Sequence, residues 1–162
     1  MATEITARVD PGGGRVEART PDGHIVAMDP DPPDGGGSAA GPKETLLASL
    51  AACTAVDVAA ILRKKRQTAT WYEVAVVGTS VDEHPRVFTR ITLEHRVGGQ
   101  VTPEALRRSI ELSATRYCPV NAMLAAGEVT IEHRYRLEAG DGEAVGAVVA
   151  IVGPKSRVEV VG

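Results

Sequence analysis

The chain opens with apolar and polar residues in alternation, "ITARVD", then "PGGG", then "RVEAR". A period of two predicts strands with one face turned inward, and the glycine-rich break between them predicts a hairpin. "PDG" at Pro21 to Gly23 marks a second turn before the short apolar run "HIVAM". A loop rich in proline and glycine follows, from Asp29 to Pro42. At about 14 residues it is long enough to be a linker or to lie over a site.

At Lys43 the period changes. "KETLLASLAACTAVDVAAILRKKR" contains no glycine or proline, and its apolar residues surround nearly the whole circumference from Leu46 to Leu62. That pattern predicts a buried central helix. Pro42 suits its first turn, Glu44 its positive N-terminal end and "RKKR" its negative C-terminal end. "TWYEVAVVGTSVD" and "RVFTRITLEHRV" predict two strands around a turn at His84–Pro85. "VGGQVTPEALRRSIELSATRY" then predicts a second helix, with Thr102 as N-cap, Pro103 at its first position and Leu106, Ile110 and Ala114 as its apolar stripe. Cys118–Pro119 interrupts it, and "VNAMLAA" predicts a short further helix ending at Gly127. "EVTIEHRYRLE" reads as another strand.

The order is strands, helix, strands, helix, strand. It predicts an α+β fold with antiparallel pairing around a long central helix, not a doubly wound parallel sheet. Residues 139–162, with their valine runs around Gly153–Pro154, read as a C-terminal tail: an appendage, an extra hairpin or an interface strand. A helix apolar on every side needs cover on every side. A chain of 162 residues has few elements to supply it, so a homodimer is expected to complete the core.

Composition narrows the classes. Hydrophobic residues make up 43% of the chain, enough for a core, but aromatics only 3%, so that core is built from Val, Ile, Leu and Ala. A net charge of −3 with no basic block gives no electrostatic support for nucleic-acid or membrane-surface binding. The run-length criterion of about 18 apolar residues for a membrane span is read as unmet. "MATEITARVD" lacks an apolar signal stretch, so a cytoplasmic protein is expected. In that compartment a cysteine pair is less often a stable structural disulfide.

The chain has two cysteines, Cys53 and Cys118. Pro119 at a helix start puts Cys118 at the N-cap, where free N–H groups and the helix dipole lower a thiol's pKa. The competing reading is that Cys118 packs as a small apolar residue. Cys53 lies inside the central helix and alone reads as core. Ser49, Cys53 and Asp57, spaced four apart, nevertheless form a polar stripe on one face of that helix, and such a stripe must meet polar groups or water. The cysteines form neither a C-x-x-C motif nor metal-ligand spacing. His24, His84, His95 and His133 are scattered, so neither a metal nor a cofactor is expected. His95 and His133 fall on predicted strands, solvated or hydrogen-bonded there. "GGSAAGPKE" has a phosphate loop's glycine separation, but Pro42 stands where the lysine belongs and no Ser or Thr follows Lys43.

Together, "GPKETLLASLAACTAVDVAAILRKK" and "YCPVNAML" resemble the OsmC/Ohr family, the osmotically inducible and organic hydroperoxide resistance proteins. The carrying features are Pro-x-Glu-x-Leu-Leu, a helix with Ala-Cys, a later Cys-Pro and the gap between the cysteines. "DEHPRVFTRITLEHRV" is most similar to the branch named after YhfA. The resemblance runs from Thr6 to Leu137, an OsmC-like domain over 1–138, with the tail outside it.

It implies strands of two intertwined subunits wrapped around long central helices. It also implies a thiol-dependent peroxidase that reduces organic hydroperoxides with an external thiol or dithiol reductant. Cys53 would be the peroxidatic thiolate and Cys118 the resolving thiol. An arginine near the first hairpin, Arg15 with Arg8 and Arg19 close by, would hold Cys53 ionised. Glu44 would orient that arginine. Here the chain departs from the family: Glu44 lies nine residues before Cys53, and Lys43 occupies the tenth position where the family has glutamate. One residue is about 100° around a helix. That departure keeps a second function open, a non-catalytic dimer binding a small apolar or sulfur-containing ligand in a pocket lined by Cys53.

Overall fold

The computed structural model describes residues 2–138 and 144–161. The chain divides into two compact units, Met1–Ala48 and Ser49–Gly162.

In the first unit, β1 (Thr6–Val9), β2 (Val16–Arg19) and β3 (Ile25–Met28) form an antiparallel three-stranded sheet. The "PGGG" turn closes with Gly14 at φ 75°, a conformation that favours glycine. After β3 the loop from Asp29 is fastened by its first residue. The Asp29 carboxylate accepts hydrogen bonds from the Ser38 hydroxyl and from the N–H groups of Gly36 and Ser38. These bonds, the Ser38 hydroxyl's first, pull its pKa down to about 2.

Helix α1 (Pro42–Lys64) begins in the first unit and continues through the second. Its start carries one half of a capping box: the Glu44 carboxylate reaches back to accept the Gly41 N–H at 2.7 Å. Its buried residues, Leu50, Thr54, Val58 and Leu62, recur every four positions, which makes one face. The expectation of burial on all sides is therefore not met within one chain: Val56 is 68% exposed and Leu46 38%. The run-length expectation also needs correction, because α1 is long and apolar enough by composition to cross a membrane.

The second unit holds a five-stranded sheet in the order β4 (Thr68–Ser80), β5 (Phe88–Gln100), β6 (Thr130–Glu138), β7 (Ala144–Val152), β8 (Val158–Val160). Three of the pairings are antiparallel, but β5 and β6 run parallel. The exception follows from connectivity. Between β5 and β6 the chain crosses over through α2 (Pro103–Leu112), a π turn (Ser113–Tyr117) and α3 (Pro119–Ala125), and a crossover through helices returns the strand in the same direction. β7 and β8 add residues 144–152 and 158–160 of the C-terminal segment to this sheet, with Val149, Ala150 and Val152 buried; residues 139–143 lie outside the described residues.

The core of this unit follows the period of two. Ile91, Leu93, His95 and Val97 of β5 are all buried, as are Ile131, His133, Tyr135 and Leu137 of β6. The inner face of α2 contributes Leu106 and Ile110, and Thr102 caps that helix by accepting the Ala105 N–H. Two histidines thus stand in register with aliphatic residues, at positions that no water reaches.

Candidate active site

The π turn after α2 shapes the site. Its widened coil lets the Cys118 N–H bond to the Ser113 carbonyl at 3.0 Å, five residues back. That extra residue ends the helix, turns the chain into extended geometry at Cys118 and restarts it at Pro119. Cys118 is therefore the N-cap of α3, and its sulfur accepts the Asn121 N–H at 3.3 Å.

Across from it stands the polar stripe of α1. Cys53 Sγ, Cys118 Sγ and an Asp57 carboxylate oxygen all lie within 4.8 Å of one another. Both cysteines are free; Cys118 is buried and Cys53 half-buried. Asp57 is held by the Ser113 hydroxyl at 3.0 Å, and the Thr54 hydroxyl lies 3.0 Å from the same Ser113 oxygen. Ser113 spends its single proton on the carboxylate, so Thr54 must donate to Ser113. The order Thr54 to Ser113 to Asp57 is fixed by that count.

The Cys118 N-cap position was expected to lower its pKa. The direction is reversed: the thiol is pushed up to about 12. Burial is the main cause and a hydrogen bond with Cys53 the next; the Asn121 N–H pulls the other way but is outweighed. Cys118 as a residue is 3% exposed, and its sulfur loses more hydration than one N–H returns. Cys118 is a thiol at neutral pH.

Behind Asn121 runs a chain of buried side chains that the sequence reading did not assemble. The Asn121 amide donates from Nδ2 to the Ala114 carbonyl at 2.8 Å. A carbonyl only accepts, so Oδ1 faces the other way, towards His133 Nε2 at 3.0 Å. His133 must therefore carry its proton on Nε2, leaving Nδ1 as an acceptor 3.4 Å from His95 Nε2. His95 in turn donates from Nε2 and accepts the Tyr72 hydroxyl proton at Nδ1, 2.7 Å away. Burial, with help from His133, lowers the His95 pKa well below the usual histidine value, and burial lowers His133 to about 4. Tyr72 is driven upward by burial and the Asp57 charge. All three are neutral near pH 7, as the directed chain demands. Solvation of His95 and His133 is thus overturned, and hydrogen bonding holds.

The other predicted residues belong to the first unit. The Arg15 guanidinium donates to the Ser38 hydroxyl at 2.6 Å, and Arg19 pairs with Glu17 at 2.6 Å. Glu44 is already inside α1, where its carboxylate accepts the Gly41 N–H. A surface cavity of about 370 Å³ opens where α1 meets β4, lined by Leu62, Arg63, Trp71 and Tyr72 among others, but by neither cysteine.

Residues 35–134 match the family described as OsmC-like protein. The chain is also 37% identical over 118 residues to protein YhfA of Escherichia coli strain K12, covering 72% of this chain and 85% of that protein. The chain belongs to the OsmC-like family. An OsmC-like protein from Mycoplasma pneumoniae shares the fold at TM-score 0.69 and 17% identity, over 86% of this chain and 97% of that one. OhrB of Bacillus subtilis, an organic hydroperoxide resistance protein, does so at TM-score 0.56 and 18% identity, over 85% and 98%. The apolar α1 is the core helix of this fold. An OsmC-like protein with two free thiols facing each other has the groups for dithiol–disulfide redox chemistry.

Two consequences of the hydrogen-bond chain are measurable. Long-range ¹H–¹⁵N imidazole spectra at about pH 6 should show His95 and His133 both neutral and both protonated at Nε2. A proton on Nδ1 of either ring would contradict the assignment. Asn121→Asp removes the donor to Ala114 and should lower stability by about 1–3 kcal/mol in urea unfolding.

Proposed function

We propose that the protein is a thiol-dependent peroxidase for organic hydroperoxides, acting as a homodimer. The observation that carries the reading is the convergence of Cys53, Cys118 and Asp57 within 4.8 Å in an OsmC-like chain. The hydroperoxide resistance named for OhrB supports the substrate class.

In this reading the Cys53 thiolate attacks the distal oxygen of R–O–O–H. The O–O bond breaks, the alkoxide leaves and takes a proton to become an alcohol, and Cys53 becomes a sulfenic acid. The Cys118 thiol then displaces hydroxide from that sulfur, water leaves and a Cys53–Cys118 disulfide forms. In this reading Asp57, with a carboxylate oxygen within 4.8 Å of both sulfurs, takes the Cys118 proton and hands it to the departing hydroxide. An external dithiol returns both cysteines to thiols and is itself oxidised to a disulfide. Arg15 is proposed as the cation that holds Cys53 ionised and Glu44 as the carboxylate that orients it. The exposed apolar side chains of α1, Leu46 and Val56, support burial against a second copy.

Peroxide consumption with a dithiol reductant tests the assignment. Cys53→Ser should abolish it. Cys118→Ser should allow one turnover and leave Cys53 as sulfenic acid or over-oxidised. Arg15→Ala should slow oxidation at neutral pH. Full turnover by Cys53→Ser protein would sink the reading. Light scattering on the same preparations should give twice the chain mass of 17.0 kDa; a folded monomer would remove the shared core.

A further inference from the structure

We propose that the reduced protein binds one thiophilic divalent cation of the zinc class per chain, held by Cys53 Sγ, Cys118 Sγ and an Asp57 carboxylate oxygen, with a fourth position open. The proposal is independent of peroxidase activity.

Among the described residues these three form the one group of His, Cys, Asp and Glu whose ligand atoms converge in this way. In a tetrahedral zinc site, bonds of about 2.3 Å to sulfur and about 2.0–2.2 Å to oxygen put ligand atoms about 3.6–3.8 Å apart. The observed separations, all within 4.8 Å, are within reach of that geometry by rotamer adjustment. Two thiolates select a borderline-soft cation and disfavour magnesium or calcium, which take oxygen ligands.

The surroundings are those of a held ligand set. Ser113 donates to Asp57 Oδ2, which leaves the other carboxylate oxygen for a metal. The Asn121 N–H points at Cys118 Sγ and stabilises that sulfur once it is a thiolate. The Asn121 side chain is tied to Ala114 and His133, which anchors the start of α3 that carries this N–H. Half-buried Cys53 and Asp57 leave a route of entry. The sequence hid the site because Cys53 and Asp57 are one helical turn apart while Cys118 arrives from another element.

Binding is acid–base, not redox chemistry. Each thiol gives its proton to solvent as its sulfur–metal bond forms, the metal stays divalent and no electron moves. Closing the Cys53–Cys118 disulfide removes both thiolates, so the oxidised protein cannot hold the cation.

Cobalt(II) titration of the reduced full chain, in the absence of peroxide, tests this. One equivalent per chain should bind, with a thiolate-to-cobalt charge-transfer band in the near ultraviolet and visible bands of tetrahedral intensity. Zinc(II) should bleach both. Asp57→Asn should weaken binding about 10-fold or more. Cys53→Ser should abolish the two-thiolate spectrum, and so should wild-type protein oxidised with diamide, a control that needs no substitution and guards against misfolded variants. Absence of the charge-transfer band in reduced, folded wild-type protein would overturn the proposal. So would an undiminished band in Cys118→Ser protein.

Discussion

The Ala114 carbonyl has lone pairs and no proton, and it is buried. Everything behind Cys118 is arranged around that fact. The Asn121 amide must give it an N–H, which turns Oδ1 towards His133; His133 must then donate, His95 must donate to His133, and Tyr72 must donate to His95. An unpaired buried donor or acceptor costs about 1–3 kcal/mol, so each member constrains the next. Among the described residues no buried side-chain nitrogen or oxygen lacks a partner. The amide cannot pass a proton onward as an imidazole does, so the chain acts on geometry. It fixes α3 against β5 and β6 and thereby fixes the N–H that addresses the Cys118 sulfur.

The opposing sulfur is fixed by different means. Cys53 rides on α1, whose buried face of Leu50, Thr54, Val58 and Leu62 sets the rotation of the helix. Thr54 belongs to that face and donates to Ser113, which holds Asp57. The same residues that seat the helix therefore aim its polar stripe. Burial then divides the labour between the thiols. Cys118, with its pKa at about 12, is kept protonated, while Cys53 is the more open of the two. The proposed roles of attacking and resolving sulfur draw on that asymmetry.

Much of this is legible in the sequence, and the failures are instructive. The strand and helix periods, the Thr102 and Cys118 caps and the Ser49–Cys53–Asp57 stripe are local signals, set by residues within a turn or two. The parallel β5–β6 pair is not local: it depends on where the crossover helices return the chain. His95 shares its phase with Ile91, Leu93 and Val97, so its burial could be read from alternation. Its neutrality and tautomer could not, because His133 and Asn121 come from elements far along the chain. At Cys118 the helix dipole and the Asn121 N–H, both local features, are outweighed by desolvation, which depends on how the whole unit packs. Glu44 shows the opposite case, a residue whose capping geometry at Gly41 is readable from Pro-x-Glu alone.

This fold brings the Cys53 and Cys118 sulfurs within 4.8 Å of each other, close enough for the two to act as a pair. Stoichiometric oxidation of dilute native protein with diamide, followed by peptide mapping under non-reducing conditions, tests it most directly. A Cys53–Cys118 disulfide within one chain, formed in native protein and lost after prior unfolding at equal dilution, is the predicted result. Native protein that yields only free thiols or links between chains would contradict the account.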